Sequence, residues 1–536
     1  MLLVAKNNVV VQFDAGEFLK IGKFEQGQSL LFHSNSIFQD TDSNFRLAEA
    51  TMARGDFATF AKTVEDGFAC IGIENGIPQW LLTDPFGLRR LYYYQAGSTL
   101  AVSDDPSRLL QWLAGSDESI SVDEDQLTRF FHIGYSDEGR TFLNNVSRSV
   151  AGLQIRFDKG NSEDLLHYLT PLESNFDEVI ESTMYRATRR SDGIALLFSG
   201  GIDSSALLLA CKESAPDRDI ICISVIPEPA ALADVRVKAQ LETSIKIAKR
   251  LGVRHQYVKA NFESKEELTR IAKVQPFDFG ITNWWSAFRK VQKDKNYLFI
   301  CGQNADSLSN FGHTVPLEGA KLSRKMLIMG KRFLVTRQFI ESRYKWLLSP
   351  ILARLFIGSK KYKLARNDSE LFSYFFQPEM YRLPIARTGF EMQMNQGVLE
   401  NPENLLDELF LRNLRRYNDS SVGRLFLTIA SLAEQNALLP YCSRDMIRFF
   451  RYRLHEASMS EQLHGKYQLR KYVYKRIPKA LIRAGYAMEE QTETEKIKIK
   501  NEIRREARHI WTSVLPSPLD KLLGERLEAF ESASDK

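Results

Sequence analysis

Hydrophobic and polar positions divide the chain into two textures. Up to about residue 160, short β-branched or aromatic runs (Val9 to Phe13, Phe68 to Ile73, Trp80 to Leu82, Leu91 to Tyr94, Thr99 to Val102) alternate with Gly, Asn and Asp turns. That rhythm predicts an antiparallel α+β domain. From about residue 175, the runs Gly193 to Phe198, Ile220 to Val225 and Tyr297 to Cys301 are continuously apolar and are separated by helical periodicity. A strand covered on both faces requires continuous apolarity, so this half predicts a doubly wound parallel sheet with helical additions. Its ligand crevice is expected at the carboxyl ends of the strands.

A third texture interrupts the second half. Residues 316–366 carry thirteen Lys or Arg against two Glu, interleaved with apolar clusters such as Met326 to Met329 and Ile351 to Ile357. The pattern predicts amphipathic helices with a cationic face. Two uses are open: packing on the neighbouring domain with the cations solvated, or contact with a membrane surface, an anionic substrate, a leader peptide or a partner enzyme.

The candidate chemistry sits between the second half's first strand and the helix that follows it. Ile194 to Phe198 is followed by Ser199-Gly200-Gly201-Ile202-Asp203-Ser204-Ser205 and then the apolar Ala206 to Ala210. A small-residue turn entering a helix directs backbone N–H groups and a positive dipole end at one small volume, which suits an anion. Glycine lets the backbone approach that anion, and the serine hydroxyls add donors. An acidic residue in the cradle needs a divalent cation between it and a phosphate, so Asp203 reads as a Mg²⁺ ligand. The loop lacks the GxxxxGK[ST] pattern of a Walker A motif.

Composition narrows the rest. The 536 residues favour at least two domains, and a formal net charge of +5 does not mark a nucleic-acid binder. The five cysteines form no CxxC or Cys/His spacing, which argues against zinc and for a reducing compartment. No run of about 18 apolar residues occurs, and the first residues lack an apolar signal region, so a cytoplasmic location is expected.

SGGxDS after a buried strand resembles the loop of the ATP-pyrophosphatase family, and its surroundings resemble the asparagine synthetase superfamily. Asp66 to Gly72, Asp84-Pro85-Phe86-Gly87-Leu88-Arg89-Arg90 and Leu100 to Ser103 are similar, in order and spacing, to its class II glutaminase domain. Cys301-Gly302-Gln303-Asn304-Ala305-Asp306 stands where the family has a second Gly/Asp loop, and Gly465 to Arg470 with Arg476-Ile477-Pro478 is similar to its late Lys-x-x-Leu-Arg and Leu-Pro segments. The resemblance spans roughly residues 60–310 and 425–485. It implies a glutaminase-like, N-terminal-nucleophile-type sandwich over 1–165, a synthetase domain over 175–515 with the basic insert at 316–366, and a tail over 516–536.

The resemblance also implies roles. ATP and Mg²⁺ would be the cofactors. Ser199, Gly200, Gly201, Asp203, Ser204, Ser205, Val225 and Gly302 would bind nucleotide, Asp203 and Asp306 would hold metal, and Gln303, Lys466 and Arg470 would act at the reacting groups. Ile226 would share the adenine pocket with Val225, and Asp278 would lie near ribose or acceptor unless it is a plain turn residue. His255 reads as a connector between helix and strand.

Three departures from the family set the expected function. A class II glutaminase uses an N-terminal Cys, and position 2 here is Leu2, so no glutamine hydrolysis is expected. Gln303 replaces the Glu of asparagine synthetases and has no basic function to offer an ammonia acceptor. Tyr486 stands where the family's acyl-transfer lysine is expected, with Lys479 and Arg483 as neighbours. β-Lactam synthetases and lasso-peptide cyclases share the loss of glutaminase, and the resemblance is closer to their logic. The expectation is an ATP-dependent amide synthetase, as in macrolactam closure on a peptide or natural product. The alternatives are an ammonia- or amine-dependent amidotransferase on a sugar acid or amino acid, and a non-catalytic binding scaffold.

Overall fold

The computed structural model describes residues 2–309 and 422–534, with Phe410 and Leu414 besides, apart from short intervals such as 15–19, 35–40, 228–234, 279–283, 457–465 and 485–504. The basic block at 316–366 therefore lies outside the described residues, as do Tyr486 and the side chains of Asp306 and Arg483.

Two antiparallel five-stranded sheets come first. One has the order β2-β1-β8-β7-β9, built from Leu2–Lys6 (β1), Val9–Asp14 (β2), Tyr92–Ala96 (β7), Thr99–Ser103 (β8) and Val146–Arg148 (β9). The other has the order β10-β6-β5-β4-β3, built from Lys20–Lys23 (β3), Gln28–Ser34 (β4), Phe68–Glu74 (β5), Ile77–Thr83 (β6) and Ile155–Arg156 (β10). Alternation along the strands decides how they pack. Leu3, Leu100 and Val102 of the first sheet meet Leu31, Ala69, Ile71 and Leu81 of the second in a core of their own. The opposite faces, with Val4, Ala101, Phe32, Phe68 and Leu82, turn to the helices Pro106–Ala114 and Thr41–Met52, with Phe60 of the helix Phe57–Thr63 edge-on to Phe68 at 5.2 Å. The arrangement is helix, sheet, sheet, helix, with the strands β1, β8 and β5 buried on both sides.

The Asp84-Pro85-Phe86-Gly87 segment is a structural turn in this layer. Asp84 Oδ1 accepts from the Phe86 N–H at 3.0 Å and Oδ2 from the Arg89 N–H at 3.2 Å, while Gly87 adopts a φ of 59°. Burial raises the Asp84 carboxyl to about 6, and the backbone N–H bonds offset part of that rise.

The third sheet is parallel, with the order β13-β12-β11-β14-β15 from Gly193–Leu197 (β11), Asp219–Pro227 (β12), Arg254–Ala260 (β13), Tyr297–Ile300 (β14) and Asn436–Leu438 (β15). Strand β11 is central. The chain moves outward to β12 and β13 on one side, then crosses to β14 on the other, so the topological switch point falls between β11 and β14. The fold is thus mixed α/β, with antiparallel and doubly wound parts.

A buried ionic centre ties the parts together. Asp278, 1% exposed, faces Arg148 Nη1 at 2.7 Å, Arg424 Nη2 at 3.0 Å and Arg90 Nη1 at 3.5 Å. The Asp278 carbonyl and that of Gln275 each accept from Trp511 Nε1 at 2.9 Å. Burial opposes ionisation of Asp278, and the charges of Arg424, Arg148 and Arg90 overcome it, holding the carboxyl well below the usual range. Beside it, Phe277 stacks on Tyr92 with ring centroids 5.6 Å apart. Asp278 is thus engaged by arginines from the sandwich and from the helix Val422–Leu432, and that is the place the structure gives it.

Candidate nucleotide site

The loop after β11 owes its shape to glycine. Gly200 has a φ of 73°, which costs a residue with a Cβ roughly 1–2 kcal/mol. A Cβ there would also lie 3.1 Å from the Ser244 nitrogen and 3.2 Å from its Cα. Gly201 then caps the helix Ile202–Ser214, and no side chain bonds to the first-turn N–H groups from the cap. Within the loop, Ser199 Oγ accepts from the Gly201 N–H at 3.2 Å and lies 3.3 Å from Ser204 Oγ. Ser205 is fully buried, and its Oγ has no hydrogen-bond partner among the described residues. The result is a donor-rich turn at a helix N-terminus.

That helix is buried on all sides from Ser204 to Cys211, because it is enclosed by the sheet and by the helices Phe176–Thr188 and Tyr467–Tyr474. The last of these carries Lys466 at its N-cap in the left-handed conformation, φ 58° and ψ 35°. The Lys466 N–H donates to the Ser309 carbonyl at 3.1 Å, and its Nζ reaches Asp203 Oδ2 at 2.6 Å. The pair is largely sheltered, with side chains 12% and 22% exposed.

Gly302, after β14, faces the same loop: a Cβ there would lie 3.4 Å from Asp203 Cβ and 3.5 Å from the Ser204 nitrogen. Gln303 and Asn304 form the turn into the helix Ala305–Ser309, with Gln303 half-buried. Asn304, with a φ of 69°, donates from Nδ2 to Cys442 Sγ at 2.7 Å. Tyr441, fully buried in the turn Pro440–Cys442 after β15, donates its hydroxyl to the Asp203 carbonyl at 2.9 Å.

The structure thus brings Ser199, Gly200, Gly201, Asp203, Ser204, Ser205, Gly302 and Lys466 to one end of the parallel sheet. Val225 lies half-buried near the carboxyl end of β12, paired with Val258. Arg470 is exposed on the helix Tyr467–Tyr474, a turn beyond Lys466. Lys479 is exposed, with its Nζ 5.7 Å from the Tyr474 ring.

Tyr441 escaped the sequence reading. It follows a three-residue strand, and no periodicity marks so short an element as part of a parallel sheet.

A divalent cation at Asp203 would share the carboxylate with Lys466, whose Nζ holds Oδ2 at 2.6 Å. Among the described residues no group of three or more His, Cys, Asp or Glu gathers, so such an ion would rely on phosphate and water for its remaining ligands. All five cysteines are buried, and none is in a disulfide. Burial pushes the Cys301 and Cys211 thiols up to about 12, and those of Cys70 and Cys222 higher still. Leu2 is 5% exposed within β1, and Cys70 Sγ in β5 faces the Leu82 carbonyl at 3.6 Å. Among the described residues no helix is long and apolar enough to cross a membrane.

No protein-family model matches the chain, and no curated protein matches it in sequence. Among solved structures, the glutamine-dependent NAD+ synthetase from Acinetobacter baumannii in complex with ADP aligns over 70% of this chain and 85% of its own, at 11% identity. The TM-score of 0.19 is too low to bear on fold or activity.

Proposed function

We propose that this chain binds ATP at the 199–205 loop and forms an amide by way of an acyl-adenylate. The observation that carries the reading is the meeting, beside the β11/β14 switch point, of an uncapped helix N-terminus, the Gly200 cradle and the Lys466–Asp203 pair. Backbone donors and an ammonium suit the charge that gathers on a departing pyrophosphate.

In the first step a carboxylate oxygen attacks the α-phosphorus, the bond to the β-phosphate bridging oxygen breaks, and pyrophosphate leaves. The N–H groups at the start of the helix Ile202–Ser214, the hydroxyls of Ser199 and Ser204, and Lys466 would hold the leaving group. Asp203 would hold Mg²⁺, with Asp306 as the second expected ligand, and the ion when bound would neutralise phosphate charge. In the second step an amine nitrogen attacks the acyl carbon, AMP leaves with the former carboxylate oxygen, and the amine gives up a proton. Gln303, on the loop after the neighbouring strand, is suited to orienting that amine by hydrogen bonds.

The finer reading is ring closure or intramolecular amide formation on a peptide or natural product. Its support is that Gln303 can orient an acceptor amine but cannot serve as its base, and that Cys70 is a buried thiol held far from its reactive form.

The deciding experiment is ATP–pyrophosphate exchange with candidate carboxylates, beside calorimetry with ATP. Carboxylate-dependent exchange that Asp203→Ala lowers by about 100-fold or more is the expected result. Exchange that survives Asp203→Ala, or a native chain that binds no ATP, overturns the reading.

A further inference from the structure

Beneath the 199–205 loop lies a hydrogen-bond network that the proposed chemistry does not use. Ser224 Oγ is 2.6 Å from the Phe198 carbonyl, 3.1 Å from Ser244 Oγ and 2.9 Å from His255 Nε2. Ser244 Oγ is 2.8 Å from the Leu241 carbonyl and 3.2 Å from the same His255 nitrogen. Ser244 is also the residue against which Gly200 is seated, and both serines are buried.

Counting hydrogens assigns the donors. Each hydroxyl has one, and a carbonyl can only accept, so the two short contacts to Phe198 and Leu241 take both serine protons. The two oxygens then present lone pairs to His255 Nε2, which must carry a hydrogen and share it between them. Burial lowers the tendency of His255 to charge, in keeping with a neutral ring protonated at Nε2.

The arrangement joins four elements at one point: the end of β11 through Phe198, β12 through Ser224, β13 through His255, and the helix Val235–Arg250 through Ser244. Phe198 is the residue immediately before the loop, and its N–H is already fixed to the Ile223 carbonyl at 2.8 Å. With its carbonyl held by Ser224, the peptide leading into Ser199 has one orientation. Through Ser244 the same clamp fixes the surface on which Gly200 sits.

We propose that His255 is a positioning residue for the 199–205 loop: its Nε2–H draws Ser224 and Ser244 together and so sets the direction from which the loop's N–H groups meet a pyrophosphate-type anion. The anion's identity rests on the function proposed above; the clamp does not.

Three measurements on the full chain test it. Nitrogen-15 histidine spectra of the native protein should show His255 as the Nε2–H tautomer, and the Nδ1–H form overturns the assignment. Amide hydrogen exchange should be at least about 10-fold faster over 199–205 in His255→Leu and in Ser224→Ala, with β5 and β6 unchanged. His255→Gln, which returns a donor near the Nε2 position, should recover most of the protection. Inorganic pyrophosphate affinity should fall and recover in the same order. Unchanged loop exchange in His255→Leu, or no recovery in His255→Gln, overturns the proposal. A native chain that binds neither ATP nor pyrophosphate removes the ligand reading, and the tautomer and loop exchange still decide the clamp.

Discussion

The ammonium of Lys466 lies 2.6 Å from a carboxylate oxygen of Asp203, a residue 263 positions earlier in the chain. Two features make the contact. The helix Tyr467–Tyr474 packs on the helix Ile202–Ser214, and Lys466 adopts a left-handed backbone conformation at its N-cap. Non-glycine residues take that conformation infrequently, so the packing around Lys466 holds it there.

Lys466→Ala should lower carboxylate-dependent ATP–pyrophosphate exchange by about 100-fold, the scale on which a preorganised charge contributes to a transition state. Its thermal midpoint should fall as well, because Asp203 loses its partner in a sheltered site, so exchange is compared at a temperature where both proteins are folded. Exchange within threefold of the native rate would remove Lys466 from the chemistry.

Gly200→Ala combines a positive φ with a Cβ 3.1 Å from the Ser244 nitrogen. The expected cost is about 1–3 kcal/mol in urea unfolding, with pyrophosphate binding lost alongside. A variant that binds as tightly as the native chain would show that the loop tolerates another shape.

Tyr441→Phe deletes the hydroxyl that holds the Asp203 carbonyl and leaves the ring in place. Loss of this buried bond should destabilise the chain by about 1 kcal/mol and slow exchange several-fold. Slower exchange without a change in stability would assign Tyr441 to the site rather than to the fold.

Asp278→Asn leaves three buried arginines around a neutral amide. Breaking a buried ionic cluster on one side costs about 3–5 kcal/mol, measurable by chemical denaturation. The sign with pH follows from the depressed carboxyl: its contribution is full above the unfolded carboxylate pKa of about 3.9 and is lost as pH falls below that towards the folded value. The native chain should therefore lose more stability than Asp278→Asn between about pH 4 and pH 2. Parallel acid titrations of the two would show the hub is not what Asp278 stabilises.

The native thiols should resist a disulfide reagent at neutral pH and react together on unfolding, because all five are buried and the four with displaced values are shifted upward. A single rapid thiol in the folded chain would contradict that burial.

Some of this architecture is local and can be read along the chain. The continuous apolar runs ending in Phe198, Val225 and Cys301 mark three parallel strands, since only a strand covered on both faces needs them. The SGGIDSS loop is local for the same kind of reason: one strand, one turn and one helix suffice to gather its N–H groups, and Gly200 supplies the backbone angle. Strands β13 and β15 were not legible. His255 and Tyr257 interrupt the first with polar character, and the second has only three residues. What the loop meets was decided by tertiary structure alone. Lys466 on Asp203, Tyr441 beneath it, the Ser224–Ser244–His255 network behind it and the three arginines on Asp278 are all contacts between separate elements, most of them far apart in sequence. Periodicity reports which face of an element is buried; which partner it is buried against depends on how whole elements pack, and no spacing along the chain records that.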